Sequence, residues 1–163
     1  MKIASLIATF FVALLFAVSA YAQNVSITNP WVRATVQGQK ATGAFMSITS
    51  KENAKLVAAS TPIAGVVEIH EMKMEKDVMK MSALTNGLDL PAGQIVELKP
   101  GGFHIMLMDL KLSLNKESTV PLTLTFQDLT GKKSQQVIQA PVSNQAPTSS
   151  SATSPDHGAA HKH

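Results

Sequence analysis

The 163-residue sequence contains no cysteine. That excludes disulfides, thiol–disulfide exchange and every thiolate-bound metal site, the Cys-ligated blue-copper centre included. A domain made from this chain in an oxidising compartment must hold together by packing alone, which its length permits. Aromatic residues are scarce at 5%, with one Trp and one Tyr, and charges of both signs are interspersed to a net +3 with His neutral. With few rings to stack on bases and no basic run, the composition argues against nucleic acid as a partner. No segment sustains a helical period over three turns. No nucleophile-plus-base arrangement is evident either, since Asp77 and Asp109 have no obvious partner, so a hydrolase finds no support.

What is present begins with an export signal. Lys2 supplies a short positive start, residues 3–18 are almost continuously apolar, and Ala20-Tyr21-Ala22 puts small residues where a signal peptidase reads them. The run is short for a membrane span, so residues 1–22 read as a cleaved secretory signal, leaving no stable membrane insertion. This segment also inflates the 45% hydrophobic content. Residues 23–142 form the folded domain. Beyond Ala140-Pro141 the composition turns to Ser, Ala, Pro, Thr and Asn, and residues 143–163 read as a disordered tail that buries too little to offset chain ordering. The tail carries His157, His161 and His163. Such a cluster binds Cu(II) or Zn(II) loosely, or is incidental to a solvated tail; composition leaves both open.

Between these ends the chain alternates short extended segments with turn chemistry. The alternation predicts strands over residues 25–28, 31–36, 44–49, 55–59, 66–70, 79–83, 95–98, 103–108, 119–126 and 135–139. Asn29-Pro30, Asn86-Gly87, Pro91-Ala92-Gly93, Lys99-Pro100-Gly101-Gly102 and Thr130-Gly131-Lys132 separate them. Many short strands at this spacing predict an all-β antiparallel sandwich or barrel. Trp31 reads as a core anchor.

The chain's soft donors are concentrated in one window. Six of the eight Met and two of the five His fall within residues 66–108. Residues two apart on a strand share a face. His104, Met106 and Met108 therefore lie opposite Phe103, Ile105 and Leu107, and Glu68, His70 and Met72 lie opposite Val67 and Ile69. Met79 and Met81 share a face as well. A single Met is an ordinary core filler and a single strand His is ordinarily structural. Two His each followed two residues later by Met, with another Met pair between them, point jointly to a metal. Thioether is soft, uncharged and not titrated near neutrality, which favours Cu(I); neutral imidazole adds affinity. Such a set avoids a thiolate that would oxidise outside the cytoplasm. Neutral donors favour moderate binding and ready exchange, as a carrier needs. An electron-transfer role fits poorly, because without Cys a type-1 site is not available. A metal-free interaction module with a Met-rich docking face is the rival reading.

The spacing is also familial. His70, ten intervening residues, Met81, twenty-two more, then His104-Ile105-Met106 resembles the motif of the PCuAC family of periplasmic copper chaperones. The family's second gap is one residue shorter, which places the extra residue in the 85–90 loop. The phrases Asn29-Pro30-Trp31-Val32-Arg33-Ala34 and Leu98-Lys99-Pro100-Gly101-Gly102-Phe103-His104 resemble the family too, so the likeness spans residues 25–140. It implies a cupredoxin-like antiparallel β-sandwich of Greek-key type, binding Cu(I) through His70, Met81, His104 and Met106 near an exposed edge. Met72 is not one of the four motif positions; strand parity makes it the best substitute ligand. The resemblance further implies a monomeric, non-enzymatic periplasmic carrier. Its copper would go to the dinuclear centre of cytochrome c oxidase subunit II, alongside or through a thiol-bearing Sco-type protein. Tail extensions that bind metal are consistent with the family, though no motif residue maps to this tail.

Overall fold

Strict alternation sets the packing of strand β9 (Thr119–Asp128). Val120, Leu122, Leu124 and Phe126 are buried, and the residues between them are not. The side-chain period of two turns such a pattern into one apolar face, and a sheet built from several such strands must cover that face. The computed structural model describes residues 24–147, and among them it forms ten strands and no helix. The other strands are β1 (Val25–Arg33), β2 (Ala41–Ser50), β3 (Ala54–Ser60), β4 (Ala64–Glu75), β5 (Val78–Ala83), β6 (Leu88–Leu90), β7 (Ile95–Leu98), β8 (His104–Leu110) and β10 (Lys133–Ser143). The expected signal peptide and the expected disordered tail, with its three His, lie outside the described residues, apart from the tail's first few positions.

The strands run in the order β5-β4-β8-β2-β1-β10-β9-β3-β6, with β7 paired to the free half of β2. β1 and β10 join the two halves through only two residue pairs, Val32 with Val142 and Arg33 with Ser143. Val32, Ala44, Ile69, Ile105 and Leu107 from one half meet Leu56, Val120, Leu122, Leu124, Phe126 and Ala140 from the other in one aliphatic cluster. This is the expected cupredoxin-like β-sandwich. Neighbours distant in sequence, such as β4 beside β8 and β8 beside β2, give it the long return connections of a Greek key. One detail differs from a wholly antiparallel sandwich: the β1–β10 junction is parallel.

Several boundaries depart from the sequence reading. Asn29-Pro30 does not divide two strands. Asn29 takes a left-handed φ of 50° and the register shifts between Thr28 and Trp31, so β1 continues through a bulge. β1 ends at Arg33, short of the expected 36, and β10 reaches Ser143, just past the expected domain end. The segment expected as the 85–90 loop contains β6, whose buried Leu88 and Leu90 flank exposed Asp89 and pair with β3. Three residues are too few for alternation to show. Gly87 makes the entry to β6, with φ +77° and a position for Cβ only 2.6 Å from the Leu56 carbonyl oxygen. β4 runs on to Glu75, well past the expected end at His70. It turns back through Lys76 and Asp77, both at positive φ, as a two-residue hairpin loop of type I′ requires.

The two faces of β8 predict different mutational costs. Leu107→Ala, in the sealed interior, is expected to cost about 2–5 kcal/mol. Met108→Leu on the other face is expected to cost less than about 1.5 kcal/mol. Urea unfolding of the two variants checks the contrast.

Candidate metal centre

The register of three neighbouring strands places the soft donors. β4 and β8 pair His70 with His104, Ile69 with Ile105 and Glu68 with Met106. β4 and β5 pair Met72 with Met81, Met74 with Met79 and His70 with Ala83. Partners across a ladder share a face. Since Ile69, Ile105 and Leu107 face the core, His70, His104, Met106, Met108, Met72, Met74, Met79 and Met81 all occupy the opposite face. β5 forms the edge of the sheet.

At the centre of that face the two imidazoles stand 5.7 Å apart between ring centroids, inclined at 70°. Both are buried, at 7% exposure for His70 and 6% for His104. Each has one nitrogen committed. His104 donates from Nδ1 to the Gly102 carbonyl at 3.0 Å, which leaves Nε2 with its lone pair. His70 donates from Nε2 to the Glu68 carboxylate at 2.7 Å. Its Nδ1 is buried and has no hydrogen-bond partner. An unpaired buried acceptor costs about 1–3 kcal/mol, so this nitrogen calls for an occupant. A carboxylate or carbonyl fixing the far nitrogen of an imidazole is the usual support of a metal-binding His.

The four residues singled out by the spacing are placed unequally. His70 and His104 are direct cross-strand partners. Met106 lies two residues along β8 from His104, half-buried opposite Glu68. Met81 sits on the edge strand, diagonal to His70, and is 51% exposed. Diagonal neighbours stand roughly 7–8 Å apart, within reach of a long flexible side chain. Met72 is the direct partner of Met81 and half-buried. Among the described residues, no group of three or more His, Asp or Glu is arranged to hold an ion. The donors concentrated on this face are imidazole and thioether, which suit a soft ion better than a hard one.

Sequence reasoning missed the supports of this arrangement. Glu68 was legible in part, being two residues before His70 and so on its face. Gly102 was not: its carbonyl accepts from both His104 Nδ1 and the Met72 amide, a contact made by the loop before β8. Trp31 is buried as expected, but it stands apart from the main aliphatic cluster. It packs on Phe45 at 4.6 Å, and Phe45 in turn lies 6.4 Å from His104, with the Arg33 guanidinium 5.5 Å above the Phe45 ring. This aromatic wall closes one side of the His pair. Gly43, opposite Met106, leaves room for it: a Cβ there would come within 2.7 Å of the Phe45 ring.

Fold and face together define a cupredoxin-like sandwich carrying two supported imidazoles amid thioethers beside a sheet edge. The comparisons with known proteins agree. The family model described as LpqE-like, a lipoprotein name, matches residues 25–142, and the chain belongs to that family. Lxx21020 of Leifsonia xyli, which also bears a lipoprotein name, is 33% identical over 107 residues. That alignment takes in 66% of this chain and 64% of the relative, so the chain spans just under two thirds of that protein. The apo PCuAC domain from PmoF1 superposes with a TM-score of 0.58 at 26% identity, covering 76% of this chain and 95% of that domain. The Cu(I) form of DR1885 from Deinococcus radiodurans gives 0.54 at 31% identity, covering 78% and 85%. The likeness to PCuAC domains read from the motif is thus matched by the fold.

Gly43→Ala tests the aromatic wall. It is expected to push the Phe45 ring off its seat and cost about 1–3 kcal/mol by overpacking. The emission of Trp31, the sole Trp, should shift in the folded state and report the weaker transition in urea.

Proposed function

We propose that this protein is an exported copper chaperone whose cargo is Cu(I), held by His70, Met81, His104 and Met106. The observation that carries the reading is the His pair: two buried imidazoles side by side, each with one nitrogen tied to a protein acceptor and the other left with a lone pair, His70 Nδ1 wholly unpartnered. A docking face has no use for an orphaned buried nitrogen, whereas a metal ion repays it. The surrounding thioethers select a soft monovalent ion. Support also comes from the Cu(I) form of DR1885, which has the same fold at 31% identity.

The mechanism is ligand exchange without bond-making on a substrate. His70 and His104, held by Glu68 and Gly102, are the rigid half of the donor set. Met81 on the exposed edge strand is the yielding half. A partner's donor displaces Met81 first, the ion is shared between the two proteins, and stronger thiolate or imidazole ligands draw it off the His pair. The copper charge stays at +1 throughout. The recipient we assign is the dinuclear copper centre of cytochrome c oxidase subunit II, directly or by way of a Sco-type thiol protein. The site of action is the periplasm, reached by cleavage of residues 1–22. No described helix is long and apolar enough to cross a membrane. A Cu(II)-loading role for His157, His161 and His163 completes the proposal. A chain ending at Val142 is then expected to lose Cu(II) stoichiometry and keep Cu(I).

Anaerobic competition against a Cu(I) chelator tests the site. The His70→Ala, His104→Ala double variant is expected to lose the competing ion, and unchanged affinity would refute the assignment. Glu68→Gln keeps the shape but weakens the hold on His70. It is expected to lower affinity about 10–100-fold without unfolding the protein. For the recipient, a deletion strain should lose oxidase activity at limiting copper; normal activity there would reject oxidase delivery and leave copper carriage standing.

A further inference from the structure

Four methionines lie on the β4–β5 hairpin, and the site above uses only Met81. The two-residue loop makes the flanking pair, Glu75 and Val78, the hydrogen-bonded one. Alternation then makes Met74/Met79 and Met72/Met81 non-hydrogen-bonded rungs, and the amide of Leu84 donating to the Ile69 carbonyl at 2.8 Å agrees with that phase. In such rungs the facing side chains stand closest. The methionines therefore face one another as two cross-strand pairs, with the Lys73/Lys80 rung between them on the other face, continuing outward from the rung of His70.

The outer pair, Met74 and Met79, does little packing. Met74 is 64% exposed and Met79 45%, on an edge hairpin where Thr, Val or Lys would serve a strand better. The other face of the hairpin is of opposite character. There Glu71 binds Lys73 at 2.8 Å and Glu75 binds Lys80 at 2.5 Å, so the charges satisfy one another away from the sulfurs. Among the described residues of β4, β5 and β8, the carboxylate that shares the thioether face beside the His pair is Glu68, already engaged by His70. The hairpin's own rungs on that face are neutral thioethers, which favour Cu(I) over Zn(II), Mg(II) and Ca(II).

We infer that Met74, Met79 and Met72 form a second, outer Cu(I) site at the tip of the β4–β5 hairpin, from which the ion passes inward to the His pair by way of Met81. This rests on the proposed copper role of the inner site but uses separate residues. Each transfer exchanges one thioether or imidazole lone pair for another on the same ion, so no electron or proton is required. Flexible thioethers at the exposed end accept or release the ion, and the buried imidazoles retain it. The hairpin, standing at the sheet edge, is the part of the protein a copper donor or acceptor meets first.

The test is anaerobic titration of the full chain with Cu(I), read by native mass spectrometry and copper X-ray absorption. Met74→Leu with Met79→Leu removes the sulfur and keeps the apolar bulk. This chain is expected to hold one Cu(I) fewer than wild type and to take up the first ion more slowly. The His70→Ala, His104→Ala chain is expected to lose a different ion and retain one coordinated by sulfur alone; combining all four substitutions removes both. Wild-type stoichiometry and uptake in the Met74→Leu, Met79→Leu chain would overturn the outer site while leaving the inner one intact. Loss of an ion in that chain, with none lost in the His variant, would uphold the outer site and overturn the inner.

Discussion

The hydrogen-bonded ladder between β4 and β8 sets Ile69 against Ile105 and, one step on, His70 against His104. These two pairs point to opposite faces, so the burial that anchors the first also positions the second. Sliding either strand by one residue would turn the imidazoles into the aliphatic interior and the isoleucines out to solvent. The register is thus enforced by the core, through fully buried Ile105 and Leu107, and the donor face inherits its precision from that packing. The aromatic wall depends on the same ladder, because β2 pairs Gly43 with Met106 and sets Phe45 beside His104.

In the proposed carrier role, holding a transferable ion would impose two opposed demands, and the face divides them by burial. Tight positioning comes from the His pair, each ring restrained by a hydrogen bond at its far nitrogen. Access comes from the edge, where β5 is exposed along its whole length. A site made only of buried donors would release slowly; one made only of exposed thioethers would not be ordered enough to compete. The gradient from the buried imidazoles to the open hairpin gives a physical reason for placing the donors next to an edge strand instead of in the middle of the sheet.

That edge carries a hazard. Unpaired strand edges recruit other strands, and apolar side chains beside them make matters worse. Here Lys73 and Lys80 stand directly opposite one another on the far face of the hairpin, each paired to a carboxylate. Charges in those positions oppose edge-to-edge association while leaving the thioether face free. The ion pairs themselves are exposed and contribute little to stability; their value is in keeping the edge soluble.

Period-two alternation was enough to show which side chains share a face, because that relation is local to one strand. It therefore identified the sandwich class, the core side of β8, and the separation of His104, Met106 and Met108 from Ile105 and Leu107. The spacing of His70, Met81, His104 and Met106 likewise singled out the four residues proposed as ligands. Relations between strands are not local, and only the tertiary structure decided them. It set His70 opposite His104, brought the Gly102 carbonyl to His104 and the Phe45 ring over Gly43, and left His70 Nδ1 without a partner. The short β6, the continuous β1 and the parallel β1–β10 junction belong to the same class, for each is held by pairing with a distant segment and not by its own sequence pattern.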